Sequence, residues 1–186
     1  ASEKQKAEVT LIEIGGTVGE YQNIIFLEAA RMLKAENPGD VAFVMVSYLP
    51  TPSNIGEMKT KPTQYASRTL NASGLQADFI VARGTAELDK PRREKLAVLC
   101  GLRTEDDVIN APDVSSIYEI PLALEKQKFA ELLMKRLKMK NRPLVDKAWD
   151  NFVTKIGGIK KSVKIAVVGK YFATGDYTLS DSYISV

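Results

Sequence analysis

The chain has 186 residues, 45% hydrophobic and 26% charged, an ordinary globular composition that supports one domain with part of another. Its net charge is only +3, with acidic and basic residues interspersed, so the balance gives no reason to expect nucleic acid or a membrane surface, and any positive site must be local. The absence of histidine excludes Ser-His and Cys-His nucleophile pairs and His-ligated metals within the chain, leaving carboxylates, lysines, backbone amides and bound metal as the available chemistry.

In chain order, the first residues, Ala1 to Lys6, are polar rather than signal-like, and no later window approaches the roughly 18 apolar residues that a membrane span needs. Glu8 to Ile14 reads as a short strand stopped by Gly15-Gly16, and Ile24 to Lys34 carries helical spacing at Ile25, Leu27, Ala29, Ala30 and Leu33. Val41 to Leu49 is almost continuously apolar up to Pro50, as in a parallel strand covered on both faces. After a loop, Thr63 to Ser73 reads as a helix with Pro62 in its first turn and Gly74 as its stop.

Phe79 to Ala82 is a second buried strand, and Pro91 to Cys100 is a helix carrying Arg92, Arg93, Glu94 and Lys95. Cys100 closes the apolar run Leu96 to Leu99, and one cysteine cannot make an intramolecular disulfide, so a buried thiol in a soluble cytoplasmic protein is expected. Ser115 to Tyr118 reads as a short extended piece, and Leu122 to Leu137 as one amphipathic helix. Lys138 to Lys161 has linker character, with a basic stretch from Lys138 to Pro143 and a helix from Val145 to Ile156 that holds Trp149 and ends at Gly157-Gly158. Val163 to Gly169 reads as a new strand opening a further domain. Strands alternating with helices imply an α/β fold with a mostly parallel sheet.

Two segments stand out chemically. In Glu13-Ile14-Gly15-Gly16-Thr17-Val18-Gly19-Glu20, a carboxylate ends a strand and glycines let the next loop approach a ligand, which suits Mg²⁺ beside phosphate oxygens; a plain tight turn with a surface glutamate has the same pattern. In Lys59-Thr60-Lys61-Pro62-Thr63-Gln64, two lysines and two hydroxyls open a helix whose first amides attract anions, against the alternative of a solvated basic helix start. Lys95 and Arg83 add positive charge at other strand-helix junctions, where surface ion pairs are equally common. The residues point to a nucleotide or polyphosphate site and leave the reaction open.

Taken together, Glu13 to Gly19, Lys59 to Gln64, Arg92 to Cys100, Asp113-Val114-Ser115-Ser116-Ile117-Tyr118 and Val168-Gly169-Lys170-Tyr171 closely resemble successive segments of the CTP synthases, over almost the whole chain. The resemblance implies a partial Rossmann-like, P-loop-type synthetase (amidoligase) domain over residues 1–138, lacking its N-terminal strands. A linker would follow over 139–162, and the start of a class I glutaminase domain over 163–186. In that family ATP phosphorylates the uracil 4-oxygen of UTP, and ammonia drawn from glutamine then displaces the phosphate to give CTP. GTP activates the intact enzyme, which is a homotetramer.

By the same resemblance Glu13 is a Mg²⁺ ligand at the ATP phosphates, with Gly15, Gly16, Asp113 and Val114 also on the ATP side. Lys59, Thr60, Lys61, Pro62, Thr63, Gln64 and Lys95 fall at the UTP site. Glu20, Tyr21 and Gln22 fall where the feedback inhibitor CTP places its cytidine end. Most members read Asp-Ile-Glu there, so this chain changes side-chain length, bulk and one charge in that segment. No catalytic residue is assigned within the chain. The family's P-loop is expected before Ala1 and its glutaminase nucleophile after Val186, so the chain alone is expected not to make CTP. Competing readings are a non-catalytic pyrimidine-nucleotide-binding or assembly module, and an unrelated P-loop-type ATPase subunit.

Overall fold

In the computed structural model, which describes residues 6–140 and 147–170, the apolar run before Pro50 folds as strand β1 (Val44–Tyr48). Helix α1 (Ile24–Glu36) precedes it and helix α2 (Lys61–Ala72) follows. Then come β2 (Phe79–Gly84), α3 (Lys90–Leu99) and β3 (Val108–Pro112). The strands form one parallel sheet in the order β1-β2-β3, in a register that pairs Val44 with Phe79 and Ile80 with Val108. The α/β architecture expected from the sequence is the one observed.

The central strand is the most deeply covered: Phe79 and Ile80 are fully buried, and Ala82 nearly so. Leu27 of α1, Leu70 of α2, Leu96 and Ala97 of α3 and Cys100 just after it join the same core. Apolar burial of this kind contributes roughly 1.5–3 kcal/mol per large side chain. The edge strand departs from expectation. Met45 is buried, but Val44, Val46 and Tyr48 are exposed, Val46 by 64%. Side chains alternate across a strand, and α2 covers one face of β1, where the Ser47 and Thr63 hydroxyls hydrogen-bond at 2.8 Å. No described element covers the other face.

Four further readings are corrected. Glu8 to Ile14 forms no strand: Val9, Leu11 and Ile12 are exposed, and only Ile14 packs against the core. β-favouring residues need a ladder partner, and no described strand lies beyond β1 to supply one. Ser115 to Tyr118 is not extended but leads into a 3-10 turn (Ile117–Glu119), because the Glu119 carboxylate accepts the Ser116 N–H at 3.1 Å as part of a capping box. The third strand lies upstream, over Val108–Pro112.

The single helix expected over 122–137 is two, α4 (Ile120–Lys126) and α5 (Phe129–Arg136), with Lys128 left-handed between them at φ 56°. The break places the Gln127 amide beside the exposed edge of β3, where it accepts the Asn110 N–H and donates to the Asn110 carbonyl, both at 2.8 Å. A side chain thus satisfies backbone groups that a fourth strand would otherwise pair.

The chain divides into two compact units, Ala1–Asp146 and Lys147–Val186. The second begins with α6 (Lys147–Gly157), in which Trp149 and Phe152 ring centroids lie 5.6 Å apart. Val145, the expected first residue of this helix, lies outside the described residues. Residues 160–169 form no strand, and Val163, Ile165, Val167 and Val168 are exposed, so the expected strand there lacks a described partner as well. Residues 171–186 also lie outside the described residues.

At the edge of the sheet where the strands begin, a polar hub joins the starts of all three. The Arg136 guanidinium, at the end of α5, reaches Asp78 at 2.7 Å and Asp107 at 3.1 Å, and stacks 4.8 Å from the Phe79 ring centroid. Asp78 also takes the Phe43 N–H at 2.9 Å and Lys34 of α1 at 3.1 Å, while Asp107 accepts the Thr104 N–H at 3.0 Å. Burial pushes the Asp78 carboxyl up, but the Phe43 amide, Arg136 and Lys34 outweigh it and hold the group below the ordinary carboxylate value. Its stabilising contribution is therefore complete above the unfolded carboxylate range near pH 4 and is lost as the pH falls through the lower folded value. Asp78→Asn leaves Arg136 and Lys34 undercompensated and is expected to cost about 3 kcal/mol at pH 7, with a smaller cost at pH 3; urea denaturation at the two pH values checks both.

Candidate functional site

In a parallel sheet all strands deliver their following loops to one edge, and ligands of open α/β sheets bind there. Beyond β1, the loop from Pro50 turns back so that the Lys59 N–H donates to the Pro50 carbonyl at 2.8 Å. It crosses the end of β2 closely: a Cβ on Gly84 would meet the Leu49 carbonyl oxygen and the Met58 Cε, each at 3.3 Å. Helix α2 then starts at Lys61. Thr60, its N-cap, is buried and accepts from the Gln64 Nε2 at 3.0 Å, so its hydroxyl is not used as a side-chain cap on the backbone. The Lys61 and Thr63 N–H groups have no intrahelical acceptor, as the first turn of any helix requires.

A cavity of about 730 Å³ opens here, lined by Pro50, Glu57, Met58 and Lys59 to Pro62 from this loop, and by Pro91, Arg92 and Lys95 from α3. It thus brings together Lys59, Thr60, Lys61, Pro62 and Lys95 of the residues singled out in the sequence. Four cationic side chains face one carboxylate, which gives the cavity the charge of a polyanion site. Thr63 and Gln64 are buried and their side chains turn inward, to Ser47 and Thr60. Their part is to fix the helix start.

Arg92 and Glu57 were not among the sequence candidates. The Asp89 side chain caps α3 by accepting the Arg92 N–H at 2.9 Å, and it also ion-pairs with the Arg92 guanidinium. The Arg92 Nε donates to the Met58 carbonyl at 3.2 Å, which ties α3 to the loop. A legible signal existed: Arg92 and Lys95 are three apart on one helix and so share a face.

The glycine-rich segment is a separate feature that lies against α2. Gly16 and Gly19 have φ of 83° and 98°, and a Cβ on Gly19 would come within 2.9 Å of the Thr69 Cγ2. The loop is closed by the Asn23 Nδ2, which donates to the Gly15 carbonyl at 2.7 Å. Glu20 accepts from the Gln22 Nε2 at 3.0 Å, and Tyr21 is exposed at the start of a 3-10 turn (Tyr21–Asn23). None of these residues lines the cavity.

Glu13 is exposed and engages in none of the described ion pairs. Among the described residues no three potential metal ligands cluster. One free carboxylate fits Mg²⁺ where ligand phosphates complete the shell, because that ion binds through one or two carboxylates plus phosphate oxygens and water. Asp113 is placed beyond β3 by its N–H, which donates to the Gly84 carbonyl at 2.8 Å, and pairs with Arg83 at 3.6 Å; Val114 beside it is half-buried.

Cys100 is buried in the core, as expected, and burial pushes its thiol up from the ordinary range, with Ser67 and Arg68 opposing in part. It is therefore a packing residue without thiolate character at neutral pH. An aromatic disulfide reagent at pH 8 is expected to label Cys100 only as fast as the chain opens, and at once in denaturant; rapid labelling of the native chain would refute this.

The chain as a whole has relatives. Residues 1–139 match the family described as CTP synthase N-terminus. The chain is 43% identical over 189 residues to the CTP synthase of Saccharolobus solfataricus, covering 100% of this chain and 34% of that protein. It is 43% identical over 180 residues to the CTP synthase of Pyrococcus furiosus, covering 96% of this chain and 32% of that protein. Against the CTP synthase of Symbiobacterium thermophilum the identity is 42% over 187 residues, with 100% and 34% covered. The chain spans about a third of the length of these curated relatives.

Proposed function

This chain belongs to the CTP synthase family, and we propose from that premise that it carries the pyrimidine-nucleotide part of an enzyme that makes CTP from UTP, ATP and glutamine-derived ammonia. The observation that carries the reading is the cationic cavity at the C-terminal edge of the sheet, built by Lys59, Lys61, Arg92 and Lys95 around the start of α2. Lys59, Lys61 and Lys95 neutralise the triphosphate of UTP or CTP, and the free Lys61 and Thr63 amides donate to its oxygens. Thr60, Pro62, Thr63 and Gln64 hold the helix start in position.

Glu20, Tyr21 and Gln22 meet the cytidine end of CTP, and the Glu20–Gln22 hydrogen bond sets the polarity of that segment. On the ATP side, Glu13 supplies one carboxylate to Mg²⁺, Gly15 and Gly16 allow close backbone approach, and Asp113 and Val114 meet the adenine. Glu13 would be this chain's ligand to that Mg²⁺, and the ion would supply neutralisation of the negative charge that develops on the phosphates during phosphoryl transfer. Residues 1–138 belong to the synthetase domain, 139–162 to a linker and 163–186 to the start of the glutaminase domain. The parent enzyme is a cytoplasmic homotetramer activated by GTP. With no histidine in the chain, glutamine hydrolysis by a Cys-His pair cannot take place on it, so the ammonia must be produced elsewhere.

Calorimetric titration of the 186-residue chain tests the assignment. Lys61→Ala is expected to weaken UTP and CTP binding about 10- to 100-fold, the equivalent of about 1.5–3 kcal/mol for a charge-assisted hydrogen bond, with ATP binding changed far less. UTP binding untouched by both Lys59→Ala and Lys61→Ala would rule the cavity out as the triphosphate site.

A further inference from the structure

The cavity already holds an anion of its own. Glu57 places one carboxylate oxygen 2.6 Å from the Lys59 Nζ and the other 3.2 Å from the Arg92 Nη2. Arg92 is oriented for this contact by the Met58 carbonyl and by Asp89. Two oxygens of one carboxylate, each on a different cation, reproduce the charge-assisted arrangement that two oxygens of a phosphate group would adopt. Lys61 and Lys95, which line the same cavity, are in no ion pair among the described residues. Half of the cationic lining is thus occupied from within, and half is open.

Glu57 is suited to being displaced. Its side chain is 54% exposed, on a loop outside the helices and strands. Lys59 and Glu57 hold each other, so the carboxyl is drawn below its ordinary value first by Lys59 and then by Arg92, and remains charged at neutral pH. A polyphosphate that arrives must either face this negative charge or take over its two cations. We propose that Glu57 is an internal counter-anion that a bound polyphosphate displaces from Lys59 and Arg92, and that it thereby sets the affinity of the site for its anionic ligand.

This rests on the cavity being a triphosphate site, and the test separates the two. Inorganic tripolyphosphate is titrated into the wild-type chain and into Glu57→Gln, which keeps the side-chain length and removes the charge. Glu57→Gln is expected to bind tripolyphosphate about tenfold more tightly at low salt, with the gain shrinking as salt screens it. Glu94→Gln removes a carboxylate from the same helix as Arg92, where it pairs with Lys90 at 3.6 Å outside the cavity lining, and is expected to change affinity less than twofold. In an Arg92→Met background the gain from Glu57→Gln is expected to fall by more than half, because one of the two released cations is gone.

Equal or weaker binding by Glu57→Gln, while Lys61→Ala still loses tripolyphosphate, would overturn the counter-anion and leave the site standing; it would mean that Glu57 positions Lys59 and Arg92 instead. An equal gain in Glu94→Gln would reduce the effect to overall charge and overturn it likewise. Absence of binding to the wild type and to Glu57→Gln, or binding indifferent to Lys59→Ala and Lys61→Ala, would remove the site and the proposal together.

Discussion

The contact of Arg136 with Asp78 and Asp107 aligns the rest of the molecule. Asp78 stands just before β2 and Asp107 just before β3, and the Phe43 amide, just before β1, donates to Asp78. One guanidinium from α5 and one ammonium from α1 therefore bind the starting ends of three parallel strands. An arginine suits this place because its planar fork serves two carboxylates at once and its face stacks on Phe79. Buried ion pairs add little net stability over apolar packing, but breaking one partner is costly. The hub acts as a constraint on register more than as a source of binding energy.

Fixing the starting ends fixes the finishing ends, and the finishing ends make the site. With β1 and β2 in register, Leu49 donates to the Arg83 carbonyl at 2.7 Å and the Pro50–Lys61 loop must cross over Gly84. That path sets the start of α2 beside the start of α3, so lysines far apart in sequence share one cavity with Arg92. Gathering four cations costs repulsion, which Glu57 and Asp89 offset in the absence of ligand. The sheet thus separates two tasks: carboxylates and an arginine close one edge, and cations open the other toward an anion.

Legibility in the sequence followed how local each feature is. The start of α2 was readable because Pro62 and the preceding hydroxyl and lysine residues mark it within a few positions, and β2 because its run from Phe79 to Ala82 is apolar. β3 was not, since Asn110 and Pro112 interrupt its apolar pattern, and its pairing comes from β2 and from the Gln127 amide. The break between α4 and α5 also depends on Asn110, seventeen residues earlier. The uncovered face of β1 was hidden because an apolar run reads the same whether one or both faces are buried. In the cavity lining, Lys59, Lys61 and Lys95 were visible as cations at a helix start and a strand-helix junction and again through family resemblance, whereas Glu57 and Arg92 resemble ordinary surface charges until the loop and α3 meet.

The central claim is that the start of α2 receives the triphosphate of a pyrimidine nucleotide. Backbone amide chemical shifts of the isotopically labelled chain, followed during addition of UTP, test it most directly. The account predicts that the largest saturable shifts fall on Lys61, Thr63 and the first turn of α3 near Arg92, with the Asp78 hub unmoved. Shifts confined to other parts of the chain, with Lys61 and Thr63 unchanged at saturation, would contradict it.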